Sequence, residues 1–521
     1  TIDSALSIAG PIEVYGGNLA VNSNLTSTTA DAEILIQAKE SITTGNSVTL
    51  NSENGSLKLL AANDISLGTN AVLTTAHATA DIIISTDTDN TSGGAFKTAG
   101  DLMVTTNGGD ILIGGGNTTG TDFTNGEGDN QVGIEILGST TLSSKGGNIA
   151  MRGETTSGSG NSAGIIFENA VDIQSGTGTI LIHGKNSNPT GDNNKISAGL
   201  SLRKDVPILI KSLNTTNNAI TLTGDASAST GGRGIDIEYD SDIIASGLGG
   251  GITLNGYNSA NRTWAINIGS GSNILANGGD INFKAYPDDS GNNAWIYALG
   301  VTLGGKSGTE VSTSSSNITL IANQFDLNAH SSKGNLIINT TGTVDVKPYA
   351  DDFTADQDLK LTFNNVSALS VGKSSTSSDG TSDTSIALGS AIIGGPITVY
   401  GANITLNSNL NTIAGGDSGD ILFKASGNIT QSANVDITTD GGDVTYWADS
   451  DGSNDGFVAF SSTGGQDVVT NGGNVIVGGG SDGSLAPTGY VNGGTASAGF
   501  DVPITGTRAI INTSKTGETG G

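Results

Sequence analysis

Asp449, Asp451 and Asp455 are the residues of this 521-residue chain best spaced to hold a metal ion. They lie in the run Asp449-Ser450-Asp451-Gly452-Ser453-Asn454-Asp455. Hard carboxylate oxygens at alternate positions suit Ca²⁺. The run departs from the helix-loop-helix calcium loop, because its glycine stands fourth and the closing glutamate is missing. No Gly-Gly-x-Gly-x-Asp array is present either. A matching loop early in the chain offers only Asp87 and Asp89. The calcium site therefore stands against a plain acidic turn, and no other cofactor is expected.

Catalysis would need a different gathering of groups. Acid–base work on a sugar polymer calls for paired carboxylates, or acidic calcium ligands with an arginine base. The four arginines are Arg152, Arg203, Arg233 and Arg508, and none stands within a few residues of a dense carboxylate group. His77, His183 and His330 are far apart in sequence, and His183 reads as an exposed residue at a strand end. Gly114-Gly115-Gly116 lacks the Lys-Ser/Thr that would make it a phosphate cradle. Asn317, Asn403 and Asn428 open Asn-Ile-Thr triplets that read as turn-to-strand text. No catalytic residue is assigned, and the chain is expected not to be an enzyme.

The elements that must position any such site repeat. Pieces open at Val132, Ala163, Ala198, Arg233, Trp264 and Trp295, with spacings of 31, 35, 35, 31 and 31 residues. Each holds three short apolar runs with period 2, so the elements are strands. The third run gives a column Ile149, Ile180, Ile220, Ile252, Ile281, Ile318, followed by Met151, Ile182, Leu222, Leu254, Phe283, Leu320. The first run gives Ile134, Ile165, Leu200, Ile235, Ile266 and Tyr297. Three strands and a loop cannot bury their own apolar faces, whereas copies stacked on one another can. The predicted fold is all-β, a right-handed parallel β-helix (solenoid) with 31–35 residues per coil in its regular part over 132–322. The openers Arg233, Trp264 and Trp295 form a predicted cation-and-aromatic column at the core edge.

A longer repeat encloses this one. Gly10–Leu25 returns as Gly395–Leu410 with eleven of sixteen positions identical, at an offset of 385. Thr106–Gly114 returns as Thr470–Gly478 at an offset of 364. The first copy thus carries 21 extra residues between Leu50 and His77, close to one short coil. The chain divides into a first cassette over 1–384, with an irregular junction or long loop at 347–384, and a truncated second copy over 385–521.

Composition narrows the partners. A net charge of −29 argues against nucleic acid and against an anionic membrane surface. There is no cysteine, so disulfides and thiolate zinc sites are excluded. Glycine supplies 80 residues and aromatics 4%, which fits a thin coil filled by Ile, Val and Leu. No run of 18 apolar residues exists to insert in a membrane as a helix.

Recurrent Gly-Gly-Asn/Asp-Ile-x-Leu turns, the absence of cysteine, the acidity and the long cassettes resemble large exoproteins of the filamentous haemagglutinin type. The resemblance is one of repeat texture over the whole chain. It implies a structural segment of a long secreted fibre or adhesin on a bacterial cell surface, anchored at the outer membrane or released. The partners it implies are further copies of the cassette in a longer chain, laterally associated fibres, and a cell-surface carbohydrate or protein met through the loops. The alternative is a carbohydrate-active β-helix enzyme, a polysaccharide lyase or glycosidase.

Overall fold

The computed structural model describes residues 1–480, 500–501 and 509–513. Left out of that range are 30, 92, 127–131, 157–161, 189–196, 204–205, 230–231, 259–263, 288–293, 328–333, 351, 374–384, 453–455 and 462–463. The chain forms two compact units, 1–294 and 295–521. Among the described residues every ladder between strands is parallel and no α-helix occurs; Gly94–Asn125 and Gly115–Asp122 are isolated antiparallel bridges.

The first unit is a parallel β-helix with three faces. Face A runs from Leu19–Val21 to Trp264–Ile268, and face B begins with Leu6–Ile8. Face C runs from Ile12–Gly16 through Ile149–Thr155. Ser241–Tyr257 and Asn273–Tyr286 each carry faces B and C in one long strand, with register shifts around Gly250. Within this unit the predicted columns are the observed ones. Ile149, Ile180, Ile220, Ile252 and Ile281 pair in succession, as do Ile134, Ile165, Leu200, Ile235 and Ile266. All ten side chains are buried. The early coils are shorter: Leu19, Ile42 and Ile65 pair in succession at 23-residue steps.

The recurrent Gly-Asn/Asp-Ile turn has a physical cause in each of its residues. The glycine lies under the preceding coil's backbone; a Cβ on Gly147 would sit 2.1 Å from the Gly109 oxygen, and one on Gly178 1.9 Å from the Gly147 oxygen. The Asn or Asp side chain accepts the backbone N–H one coil on. Asp81 accepts from Asp110 (2.8 Å), Asp110 from Asn148 (2.7 Å), and Asn148 from Thr179 (3.0 Å). Three residues before the glycine a buried hydroxyl donates to its carbonyl: Thr106 to Gly109, Ser144 to Gly147, Ser175 to Gly178. The isoleucine then enters the core. Buried backbone groups are thereby paired at each corner, as they must be.

A second glycine seam joins faces A and C. A Cβ on Gly184 would lie 2.0 Å from the Gly199 oxygen, and one on Gly224 2.0 Å from the Gly234 oxygen. This accounts for the apolar-Gly-Ile triplets that open the coils.

The second unit is built on the same plan. Ile397–Gly401 pairs with Ile421–Ala425 in the register in which Ile12–Gly16 pairs with Ile34–Ala38. Face C is continuous from Ile318–Ile321 through Ala368–Val371 to Val475–Gly478. Face B is not: Thr302–Gly304, Ile337–Asn339 and Thr362–Asn364 form one ladder, and Ala391–Ile393 starts another. The core here is more aromatic than composition led us to expect. Phe423, Tyr446 and Phe460 pack together, and the buried Tyr446 hydroxyl donates to Gln431 (2.8 Å). One predicted inward residue is corrected. In Trp295–Ala298 it is Ile296 that is buried, while Tyr297 is half-exposed, one step out of the expected register.

Candidate functional site

Asp449 follows the face C strand Val444–Trp447 and is only 2% exposed. Its φ is +50°, a left-handed turn conformation that aspartate tolerates. Its carbonyl accepts from the N–H of Gly452 and of Gly480. Asp87 holds the same place in the first unit, after Ile82–Thr86, with φ +51°. There the carboxylate accepts the Thr91 N–H (3.2 Å). A Cβ on Gly94 or Gly456, each seven residues on, would sit 2.8 Å from the Asp87 N atom or 2.3 Å from the Asp449 N atom respectively. One turn is thus built twice, and its first aspartate is a turn residue. Asp451 is half-exposed, and Asp455 lies outside the described residues. Among the described residues no three His, Cys, Asp or Glu side chains gather to hold a metal.

Stacking brings Arg203 to carboxylates that sequence separation hid, whereas Arg233 takes a carboxylate three residues on in its own strand, closer than the sequence reading allowed. Arg203 lies between Glu168 (3.1 Å) and Glu238 (3.8 Å), one from each neighbouring coil. Arg233 grips both oxygens of the buried Asp236 (2.8 and 2.9 Å), and Asn267 adds a third bond to that carboxylate. Burial pushes the Asp236 carboxyl up, against the pull of Arg233. The Arg233 guanidinium lies 4.7 Å over Trp264, as the coil-opening column predicted for that pair. Trp295 is half-exposed and pairs with Gln324 within its own unit. Arg508 and His330 lie outside the described residues.

The outward side of the long face C strands carries a mixed strip. One column reads Arg152, His183, Thr223, Asn255, Lys284, and the next Glu154, Lys185, Asp225, Tyr257, Tyr286. His183 is not the exposed strand-end residue expected. It is half-buried edge-on against Phe123, with ring centroids 4.8 Å apart. Burial lowers its pKa, the Asp225 charge opposing and Arg152 adding to the effect. Glu154 bonds Lys185 (2.8 Å) and Ser187 (2.6 Å), and Asp225 caps Ser227. Tyr257 and Tyr286 stack at 4.0 Å and 6°, with the Lys284 ammonium 4.7 Å from the Tyr286 ring centre. Between rungs, Glu154 is thus paired with Lys185 and Tyr257 with Tyr286.

The loop ends beside it are held down. Asn186 donates to the Ser162 carbonyl and hydroxyl and to the Ser197 hydroxyl, and all three residues are buried. Ser162, Asn186 and Ser197 are therefore part of the coil wall. The Asn-Ile-Thr asparagines are ladder residues: Asn317, Asn403 and Asn428 accept the N–H of Thr343, Asn428 and Phe457.

The second unit has a groove of about 650 Å³ where face B breaks. Asn339, Thr341, Phe363, Asn364, Asn365, Ile392, Gly394 and Ile413 line it. Phe363 pairs in register with the buried Ile338, yet it is half-exposed, because no ladder continues from its strand. Ile392 and Ile413 are 57% and 61% exposed. The sequence signal for this place is faint: Phe363 alternates with Leu359 and Leu361, like any core residue.

No protein-family model, no curated protein and no solved structure matches this chain.

Proposed function

We propose that this chain is a structural segment of a long secreted fibre or adhesin on a bacterial cell surface, built from tandem β-helical cassettes. The observation that carries it is the use to which the repeated residues are put. Thr106 and Asp110, and their counterparts in later coils, bond to the neighbouring coil, and Gly109 lets that coil approach. Residues repeated for that purpose serve extension of a body, since each coil presents to the next what it received from the one before. The two cassette openings, built in one register, support tandem arrangement. Its partners are further cassettes of a longer chain and neighbouring fibres, and the −29 charge keeps such a body soluble. No catalytic role and no cofactor are part of this proposal.

The test is immunogold electron microscopy with an antibody to this chain, on intact cells of the source organism. Label along surface filaments is the expected result. Label confined to the cell interior, with a parent gene that holds no further cassette, would overturn it.

A further inference from the structure

The two cassettes serve as controls for each other at the break in face B. Carried three residues either way, the 385-residue offset that aligns Gly10–Leu25 with Gly395–Leu410 sets Ser7 against Ile392 and Thr28 against Ile413. All four positions are exposed. The coil therefore forms with a serine and a threonine there, and the second copy carries two isoleucines in water for a reason other than folding. Both line the groove into which Phe363 opens. Scattered apolar residues on a surface need no explanation, but three converging on one concavity point to a ligand.

We propose that this groove is a binding site for a neutral saccharide. Its lining holds no charged side chain. An anionic ligand would meet no cation there and would approach a chain of net charge −29. A cationic ligand would find no carboxylate. A wholly apolar ligand would strip water from Asn364, Asn365 and Thr341 without replacing their hydrogen bonds. A sugar ring has an apolar C–H face and a rim of neutral hydroxyls, and so satisfies both parts of the lining. Its C–H face would lie on Phe363, Ile392 and Ile413, with the hydroxyls at the amides.

The amides are oriented beforehand. Asn365 donates to the Asn339 side-chain oxygen (3.1 Å), and Asn339 donates to the Gly305 carbonyl (2.8 Å). Asn365 holds φ +62°, the left-handed conformation asparagine accepts. This relay fixes which atom Asn365 turns to the groove, and a rigid polar group costs less entropy on binding. The volume lies within the range of about 300–1,000 Å³ typical of small-ligand sites.

The site goes beyond the fibre proposal and does not depend on it. The experiment is titration calorimetry and saturation-transfer NMR on the full chain with a panel of neutral probes: malto-, cello-, xylo-, manno- and galacto-oligosaccharides. At least one should bind with an affinity insensitive to salt. Ile392→Ser with Ile413→Thr, which installs the first copy's residues, should weaken it about tenfold or more at an unchanged melting temperature. Asn364→Ala, at an exposed position, should weaken binding separately. Absence of binding across the panel at millimolar probe would overturn the site. So would binding that the double variant leaves intact. A double variant that abolishes concentration-dependent self-association would assign the patch to a second copy of the chain and overturn the saccharide. Filaments on cells with no saccharide bound would remove this site and leave the fibre standing.

Discussion

Gly224→Ala puts one methyl group into the seam between faces A and C. The new Cβ would lie 2.0 Å from the Gly234 oxygen, 2.4 Å from its carbonyl carbon and 2.9 Å from Ile235 Cγ1. Two of the three are backbone atoms, so no rotamer change relieves the clash. Normal carbon–oxygen contact requires the strands Ile220–Asp225 and Arg233–Ile237 to part by roughly an ångström, against packing as dense as a crystal. Overpacking that forces backbone shifts costs about 1–3 kcal/mol. A solenoid feels such a cost locally, because each coil touches only its neighbours. Hydrogen exchange followed by mass spectrometry reads it: protection in 220–225 and 233–237 should fall roughly 5- to 150-fold. Coils near Leu25 and Leu50 should keep their protection. Gly17→Ala is the control, since nothing lies within 4 Å of its Cβ. If Gly224→Ala exchanges like wild type, the seam has room for a methyl group, and the account of the opening triplets fails.

Three further outcomes follow from the ladders. Burial raises the Asp81 carboxyl above 3.8, with the Asp110 charge adding to it. A raised acid favours the protonated fold, so its contribution is full below pH 3.8 and lost as pH rises through the folded pKa. Asp81→Asn, which keeps the acceptor for the Asp110 N–H, should raise the urea midpoint at pH 7 and lose that advantage at pH 3.5; an equal effect at both would refute the cause. Asn148→Ala removes the acceptor of the Thr179 N–H and hydroxyl (3.0 and 2.9 Å) and should cost about 1 kcal/mol in urea unfolding, whereas no change would show the ladder to be incidental. Millimolar Ca²⁺ against EDTA should leave the melting temperature unchanged, because Asp449 is a turn residue. A rise with Ca²⁺ that Asp451→Asn abolishes would assign Asp449, Asp451 and Asp455 as ligands.

The columns were legible because a parallel coil repeats one register, and a period-2 run with a fixed spacing leaves no second way to stack Ile149 on Ile180. Tyr297 escaped because the alternation shifts by one in Trp295–Ala298, and a single-residue slip exchanges inward for outward. The side-chain chemistry was less legible. Arg203 and its two glutamates sit 35 residues apart in the chain, so no local motif reports them. His183 was misplaced for a similar reason, since Phe123 comes to it from an earlier coil. The groove was hidden deeper. Phe363 keeps an ordinary alternation, and its exposure results from a missing neighbour. Only Ser7 against Ile392 and Thr28 against Ile413 marks the place in the text, and those pairs carry meaning once exposure is known.

The short coils of the first cassette allow a sharper test of modularity. Ala38 pairs with Ala61, Ile34 with Leu57 and Ile36 with Leu59, so 39–61 make up one whole coil of 23 residues. Removing them joins Ala38 to Ala62 in the place Ala61 held. Ile34 then meets Ile82, the present partner of Leu57, and Leu19 meets Ile65, the present partner of Ile42. The new apolar contacts are aliphatic on aliphatic, and the buried Ser27 meets Thr75, the present partner of Ser52. The turn pattern also survives. Ser450 N–H bonds to the Ala425 oxygen in the second cassette as Thr88 bonds to Ala61 in the first, and after the deletion Ala38 supplies that carbonyl. The shortened chain should fold, with hydrogen-exchange protection over 82–115 equal to that of wild type. A deletion of 39–50 removes about half as much chain but leaves the turn at Ser52–Gly55 without its strand, and puts the residues of faces A and B out of register. That smaller deletion should abolish protection throughout the early coils, since a slip exposes the apolar side of each strand. If the whole-coil deletion proves the more damaging of the two, stability here belongs to a closed body and not to a stack of coils, and the solenoid account is wrong in its energetics.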